Sequence, residues 1–209
     1  MASMRLQVVV AMPPAIRDVV GIKRLNDLKN AHQDVAIEMA FKHDKFIELL
    51  PQANAVITHH TFRFPEYFFN NNPKLRWVQS ITVGLDAFLT PEMIAAGHLT
   101  ITTCRGPFGP LVAGHATMLM LALARDLPEY LQSQAKHQWR PRATGGVPNI
   151  LQLFGKTVAI LGVGDIGGHL ARICKVGFGM KVLGTARRSR DNPHVDRYFD
   201  LSERNANLA

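Results

Sequence analysis

The 209-residue chain is 47% apolar and carries 24 basic against 16 acidic residues, a formal net charge of +8. Because the basic residues are spread along the chain, with no helical face that combines them with aromatics, we expect no nucleic-acid partner. No run of about 18 uncharged apolar residues marks a membrane span, and the N-terminus lacks the layout of a signal peptide. These features predict a soluble, cytoplasmic protein without a membrane partner, whose positive charge suits an anionic cofactor and substrate.

The length exceeds the usual size of one domain, so two domains are expected. In the first part of the chain, segments with strand and helix patterns alternate. The predicted strands cover 6–11, 35–40, 53–58, 75–81 and 99–103, and the predicted helices cover 15–30, 44–50, 65–70 and 91–96. Thr90 should cap the last of these helices, with Pro91 at its first position. Five strands separated by helices predict an α/β domain, a doubly wound parallel sheet of flavodoxin-like order over residues 1–104.

Two helices are predicted to follow this domain. Residues 110–125 are apolar on all sides, which is typical of a helix buried inside the chain or against a partner subunit. Residues 129–139 form a more polar pattern that contains Trp139. Residues 140–149, with two prolines and two glycines, predict an extended arm.

The most informative stretch is 155–190, which has the pattern of a strand–helix–strand unit. Residues 157–163 are apolar and rich in β-branched side chains, as expected of a strand buried on both faces of a parallel sheet. A helix over 166–176 should end at Gly177, and a second strand should cover 180–184. The apolar stripe of this helix is predicted to contain Ile166, Leu170, Ile173 and Cys174.

Gly162, Gly164 and Gly167 give the pattern G-x-G-x-x-G where the first strand of this unit ends. The first glycine permits a tight turn, the second lets backbone approach a pyrophosphate, and the third brings helix close to strand. The helix N-terminus, with Asp165 and Ile166, then offers N–H groups to the phosphates. We predict a Rossmann dinucleotide-binding domain over residues 105–209, of which the first half is present. The alternative is a glycine-rich turn without a ligand.

The residues after the second strand of this unit predict which dinucleotide binds. Enzymes that use NAD place an acidic side chain at the strand end, where it accepts hydrogen bonds from the ribose 2′-OH. Ala186 occupies that position here, with Thr185 before it and Arg187 and Arg188 directly after it. Arginine suits a 2′-phosphate because its planar fork binds two oxygens. The pattern favours NADP over NAD, and the alternative is a solvated basic loop.

Cysteines and histidines predict no metal site. Cys104 and Cys174 have neither the density of a disulfide scaffold nor the spacing of metal ligands, and both are expected to be reduced core residues. His59 and His60 follow the third strand, on the side where open α/β sheets bind ligands. They are predicted either to border the substrate or to form a solvated pair.

Four stretches resemble, in order, the D-isomer-specific 2-hydroxyacid dehydrogenases, a family that includes glyoxylate/hydroxypyruvate reductases and D-lactate and phosphoglycerate dehydrogenases. They are SITVGLDAF (80–88), VAGHATMLMLALAR (112–125), GKTVAILGVGDIGGHLAR (155–172) and VLGTARR (182–188). The resemblance implies an NAD(P)-dependent oxidoreductase that acts on the CH–OH group of D-2-hydroxy acids or reduces 2-oxo acids such as glyoxylate or hydroxypyruvate. It also implies a homodimer, with the apolar helix in the interface.

The resemblance assigns roles to the loop after the fourth strand. The backbone N–H groups of Val83 and Gly84 would bind the substrate carboxylate, and Asp86 would shape the loop as a hydrogen-bond acceptor. An ordinary strand-to-helix turn is the alternative. Gly114 departs from the family pattern, which usually has glutamate there, so we expect a local change in packing.

The family's catalytic arginine, glutamate and histidine have no matching position before Ala209. We therefore expect the N-terminal portion of a longer enzyme, or a truncated relative, whose catalytic residues lie beyond Ala209. The isolated chain should be inactive and should associate or aggregate. The alternative is a non-catalytic, dimerising module that binds a dinucleotide.

Overall fold

In the computed structural model, the first of two units, Met1–Arg105, is built around a parallel sheet. Its strands are β1 (Leu6–Ala11), β2 (Val35–Ala40), β3 (Ala55–Thr58), β4 (Trp77–Ser80) and β5 (Thr100–Thr102), in the order β2-β1-β3-β4-β5. The structure describes residues 5–16, 22–139, 150–186 and 191–200. The strand order is flavodoxin-like, so the predicted fold of this unit is confirmed.

The helices of this unit are α1 (Ile22–Ala31), α2 (His43–Leu49), α3 (Phe68–Asn71) and α4 (Pro91–Ala95). Of the helix predicted over 15–30, residues 17–21 lie outside the described chain. The helix predicted over 65–70 begins later, at Phe68, because Tyr67 adopts a left-handed conformation with φ 58°. The predicted cap of α4 is confirmed, since the Met93 N–H donates to Thr90 Oγ1 at 3.2 Å.

The strands of this sheet bury side chains on both faces, as the alternation of a strand requires. Val9, Val56 and Val78 point to one face and pack with a cluster of phenylalanines. Val10 and Ile37 belong to the opposite face, where Leu25 of α1 covers them. Since each layer needs its own apolar side chains, the near-continuous apolar composition of the strands follows from the doubly wound fold.

The second unit, Gly106–Ala209, contains a smaller parallel sheet. Its strands are β6 (Thr157–Leu161), β7 (Lys181–Ala186) and β8 (Arg197–Asp200), in the order β6-β7-β8. Its helices are α5 (Phe108–Ala124), α6 (Leu127–Ala135) and α7 (Asp165–Arg172). A π-helical turn, Ile173–Gly177, continues α7 and ends at the predicted glycine. Parallel strands joined through α7 confirm a Rossmann-like unit, and β8 is a strand that the sequence pattern did not predict.

The burial of β6 and α7 corrects two expectations. In β6 only Ile160 is buried, and Leu161 is 74% exposed, so the expectation of a strand buried on both faces is wrong for the described residues. No described helix or strand packs against the second face of β6. In α7, Ile166 is exposed and Gly167 and Ala171 are buried, because the helix approaches the strand most closely at its glycine.

The apolar helix α5 buries only Gly109, Ala113 and Ala124 among its described residues, while Leu111 and Leu123 are about 70% exposed. The expectation of burial inside its own chain is therefore not met. No single described helix is long and apolar enough to cross a membrane, although α5 and α6 together reach that length and composition as a pair bent by 70°. The helix predicted to reach Trp139 ends at Ala135 instead.

Asp196, directly before β8, adds hydrogen bonds to the ladder that pairs β8 with β7. The N–H of Asp196 donates to the Val182 carbonyl at 2.8 Å, and the Val182 N–H donates back to Asp196 Oδ2 at 2.7 Å. Lys175 Nζ donates to Asp196 Oδ1 at 2.5 Å. The hydrogen bond from Lys175, and after it the one from Val182, holds the pKa of Asp196 below its ordinary value of 3.8.

We predict that Asp196→Asn destabilises the protein at pH 7 and that its effect disappears in acid. Because the folded-state pKa is lowered, the carboxylate stabilises the fold above pH 3.8 and loses this contribution as the pH falls through the folded value. Urea unfolding of wild type and variant at pH 7 and pH 3 measures the difference. The exposed Asp191, changed to asparagine, is the control. A difference between wild type and Asp196→Asn that is as large at pH 3 as at pH 7 contradicts the prediction.

Candidate functional site

The turn between β6 and α7 contains Gly162, Gly164 and Gly167, the three glycines of the G-x-G-x-x-G fingerprint. Gly162 has φ 99°, a conformation that L side chains rarely adopt, so glycine is required where the strand turns. Its N–H donates to Thr185 Oγ1 at 3.0 Å, and the Val163 N–H donates to the Thr185 carbonyl at 2.8 Å. The end of β7 therefore anchors the start of the glycine turn.

The third glycine sets how closely the helix approaches the strand. A Cβ atom placed on Gly167 would lie 2.3 Å from the carbonyl oxygen of Gly162, a distance that no real side chain tolerates. Glycine at this position therefore lets the first turn of α7 lie directly over the end of β6. This is the role that the G-x-G-x-x-G pattern assigns to its last glycine.

Open space lies beside the middle glycine. Gly164 is exposed, and a Cβ placed on it would meet no atom within 4 Å. The Gly168 N–H donates to the Gly164 carbonyl at 2.9 Å and closes the first turn of α7. The N–H groups of Asp165, Ile166 and Gly167 precede that bond and have no partner within the helix. Backbone that is open at Gly164, beside free helix N–H groups, fits the pyrophosphate of a dinucleotide.

The residues predicted to recognise the ribose lie at the end of β7. The strand predicted over 180–184 extends to Ala186, which is its last residue and pairs in register with Asp200 of β8. Thr185 has a role that the sequence did not reveal, since its hydroxyl accepts the hydrogen bond from Gly162. Arg187 and Arg188 lie outside the described residues.

The predicted carboxylate-binding loop follows β4 in the first unit. Hydrogen bonds fix its start, because the Ile81 N–H donates to the Thr58 carbonyl and the Cys104 N–H donates to the Thr82 carbonyl. Val83 and Gly84 are exposed, and no described acceptor lies within hydrogen-bonding distance of their N–H groups. These two N–H groups are available to a carboxylate ligand.

Asp86 follows two residues after this pair of N–H groups. No described donor reaches its carboxylate, so the expected loop-shaping hydrogen bond is not found in the described part of the chain. The carboxylate lies near Gly84 instead, where a Cβ placed on the glycine would be 3.8 Å from Asp86 Oδ2.

His59 and His60 lie beyond the end of β3, with ring centroids 3.9 Å apart. Thr58 of β3 pairs in register with Ser80 of β4, so the two histidines and the carboxylate loop leave the same edge of the sheet. The His59 Nδ1 accepts from the Thr61 N–H at 3.4 Å and lies 3.0 Å from Thr61 Oγ1. Burial, and next the imidazole of His60, lowers the pKa of His59 below 6.5. The lowered pKa favours the neutral form of the His59 imidazole.

A cleft of about 870 Å³ opens beside His60 in the first unit. Aromatic and charged side chains line it, among them Phe62, Arg63, Phe64, Tyr67, Asp86 and Glu92. Val83 and Gly84 are not among its lining residues, whereas Asp86, beside Gly84, is. No described group of three or more His, Cys, Asp or Glu side chains could hold a metal ion.

We predict that Gly167→Ala destabilises the second unit by about 1–3 kcal/mol or more. The new methyl group would meet the carbonyl oxygen of Gly162, a backbone atom that cannot turn away. Gly168→Ala is the matched control, since a Cβ there would meet only the end of the Asn192 side chain, at 3.4 Å. Thermal unfolding compares the two variants. Equal stability of Gly167→Ala and Gly168→Ala contradicts the close contact.

Comparisons with known proteins agree with this geometry. Residues 117–207 match the family profile described as D-isomer specific 2-hydroxyacid dehydrogenase, NAD binding domain. The chain is 33% identical to glyoxylate/hydroxypyruvate reductase B of Serratia proteamaculans over 149 residues, which are 71% of this chain and 45% of that protein. It is 29% identical to glyoxylate reductase of Pyrococcus furiosus over 153 residues, 72% of this chain and 45% of that protein.

Solved structures show the same likeness. A D-isomer specific 2-hydroxyacid dehydrogenase family protein from Aeromonas salmonicida superposes with a TM-score of 0.72 at 29% identity, covering 95% of this chain and 59% of that one. A glyoxylate reductase from Paecilomyes thermophila has the same TM-score at 19% identity, over 94% of this chain and 61% of its own, which shows the fold alone. The chain spans about half the length of the reductases it matches in sequence. The profile match, these relatives and the shared fold show that the chain belongs to the D-isomer specific 2-hydroxyacid dehydrogenase family.

Proposed function

We propose that this chain binds NADP(H) and a small 2-oxo acid, as part of a reductase of the glyoxylate/hydroxypyruvate type. The observation that carries the proposal is the open backbone at Gly164, beside helix N–H groups that have no partner within α7. The names of the relatives from Serratia proteamaculans and Pyrococcus furiosus support the substrate class. The chain spans about half the length of these relatives. The reductase activity of the whole protein is therefore itself proposed.

The two N–H groups after β4 would orient the substrate. Val83 and Gly84 would donate to the carboxylate of the 2-oxo acid, which fixes the direction in which its carbonyl group points. A bound reduced dinucleotide would supply the hydride to the carbonyl carbon of the 2-oxo acid. Holding the substrate in one orientation makes a large contribution to the rate of such a reaction, because the entropy cost of aligning the reacting atoms is met when the substrate binds.

The carbonyl oxygen also needs a proton donor as the hydride arrives, and a positioned donor contributes typically about 10²- to 10⁴-fold to the rate. We place this donor outside these 209 residues, because the arginine, glutamate and histidine implied by the family resemblance match no position in the sequence. In this proposal the chain binds and orients both ligands, and residues elsewhere transfer the proton.

The preference for NADP(H) rests on the end of β7. Ala186 leaves the strand end without a carboxylate, so no negative charge opposes a 2′-phosphate there. Arg187 and Arg188 follow in sequence and supply cations with the geometry that phosphate requires. Arg187 is the first choice for the contact because it is nearest to the strand.

We predict that Arg187→Ala lowers the preference for NADPH over NADH, measured as a ratio of kcat/KM in the full-length protein. One charge-assisted hydrogen bond contributes about 1.5–3 kcal/mol, which corresponds to roughly 10- to 150-fold. Ala186→Asp should shift the preference in the same direction by repelling the phosphate. Arg190→Ala, three residues farther along the chain, is the control. Equal efficiency with both cofactors in the wild type, or an unchanged ratio in both variants, contradicts the NADP preference.

A homodimer is the second part of the proposal. The side chains of α5 leave a broad apolar surface exposed, including Leu119 (47%) and Leu123 (73%), which lie one turn apart on the same side of the helix. Contiguous exposed apolar surface of this kind marks an interaction site in soluble proteins. A second copy of the chain is the partner that the family resemblance implies.

We predict that Leu119→Glu together with Leu123→Glu weakens self-association, because two carboxylates would have to be buried in the interface without partners. Sedimentation at micromolar concentration should show a dimer or larger species for the wild type and a shift toward monomer for the double variant. Leu28→Glu, at an exposed leucine of α1, is the control. A monodisperse wild-type monomer rules out this interface.

A further inference from the structure

A small space between two helices of the second unit is occupied by side chains of the fingerprint helix. Gly109 lies in the first turn of α5 and is buried. A Cβ placed on it would lie 2.8 Å from Asp165 Oδ2 and 2.6 Å from His169 Cδ2, both on α7. The backbone of Gly109 does not have a positive φ, so its conformation alone does not demand glycine. What demands glycine here is the volume that Asp165 and His169 occupy.

Asp165 poses an electrostatic problem for dinucleotide binding. It is the first residue of α7, where the helix N–H groups would meet a pyrophosphate. A carboxylate facing that anion would oppose binding, since two like charges a few ångströms apart repel strongly where water is excluded. Asp165 therefore places a negative charge where the negatively charged pyrophosphate would bind.

In the structure, this carboxylate lies against α5. One oxygen faces the backbone of Gly109, and the other lies 3.8 Å from His169 Nε2, one helical turn along α7. The two side chains are 32% and 40% exposed, and 3.8 Å is too long for a hydrogen bond. An ion pair of this kind contributes little by itself. The space at Gly109, more than the contact with His169, allows the carboxylate to stay in this position.

We propose that Gly109 is a positioning residue for dinucleotide binding. By lacking a side chain, it provides the space in which the Asp165 carboxylate lies against α5, away from the pyrophosphate. The inference rests on the proposed dinucleotide function of the α7 N-terminus. The three atoms nearest to a methyl group at position 109 belong to the side chains of Asp165 and His169, which can rotate away without a backbone shift. The carboxylate would then have to turn toward another part of the helix N-terminus.

The test compares dissociation constants for NADPH, measured by fluorescence titration of the full chain, in Gly109→Ala, Asp165→Asn and the double variant. Asparagine keeps the size of aspartate and removes its charge. Gly109→Ala should raise the Kd for NADPH roughly tenfold, which corresponds to a loss of about 1.4 kcal/mol in binding free energy. In the Asp165→Asn background the same change should weaken binding by less than about twofold. The tenfold loss should also shrink as salt is added.

Gly114→Ala is the matched control on the same helix. Gly114 is exposed, and a Cβ there would meet nothing within 4 Å, so NADPH binding should not change. Asp165→Asn alone gives a second measurement that does not depend on how Gly109→Ala folds. If the carboxylate is already held away from the phosphates, neutralising it should change Kd by less than about twofold.

Four results would overturn the inference. Unchanged NADPH binding in Gly109→Ala shows that the space is not needed. An equal loss in both backgrounds assigns Gly109 a packing role that is independent of charge. Binding that tightens about tenfold in Asp165→Asn shows that the carboxylate already opposes the phosphates. Absence of NADPH binding by the wild type removes the proposed function as well, which separates that failure from the other three.

Discussion

The close approach of Gly167 to the carbonyl oxygen of Gly162 sets how the first turn of α7 lies on the end of β6. Because a Cβ on Gly167 would lie 2.3 Å from that oxygen, only glycine lets α7 begin directly over the end of β6. The same approach places the helix N–H groups beside Gly164, where the surface is open. Thr185 holds the turn from the other side by accepting the Gly162 N–H. Backbone contacts and one side-chain hydroxyl, that of Thr185, therefore set the geometry of the G-x-G-x-x-G turn.

Both units place the loops proposed to bind ligands at the carboxyl end of parallel strands, where connections leave the sheet and backbone groups are not used by the ladder. In the first unit this edge carries Val83 and Gly84, with the pair His59 and His60 beyond the neighbouring strand. In the second unit it carries the glycine turn. Each loop has N–H groups without a described acceptor, which suits the carboxylate and the pyrophosphate of the proposed ligands.

Much of this arrangement could be predicted from the sequence, because local patterns and tertiary structure agree. The strands Leu6–Ala11 and Val35–Ala40 were predicted to the residue, since each is a mainly apolar run that directly follows a charged residue, Arg5 or Asp34. The cap at Thr90 followed from its position before Pro91. The G-x-G-x-x-G pattern located the turn between β6 and α7 because strand and helix patterns flank it.

Other features depend on contacts that no local pattern reveals. The strand Arg197–Asp200 is four residues long, and beside its ladder with β7 the preceding Asp196 bonds Val182, fourteen residues earlier in the chain. The late start of α3 depends on the left-handed backbone of Tyr67. The exposure of Ile166 follows from the close approach at Gly167, which turns the neighbouring residue outward. The relation of Gly109 to Asp165 joins two helices more than fifty positions apart in sequence.

The most direct test of a dinucleotide site at the glycine turn is an NMR titration of the isotope-labelled chain with NADPH. The open backbone at Gly164 and the free N–H groups of α7 predict that the amide signals of Gly164, Ile166 and Gly167 shift most and saturate together. Two results would contradict the assignment of this turn as the phosphate-binding site. In the first, NADPH saturates signals elsewhere while the amide signals at these three positions stay unchanged. In the second, no signal shifts at all.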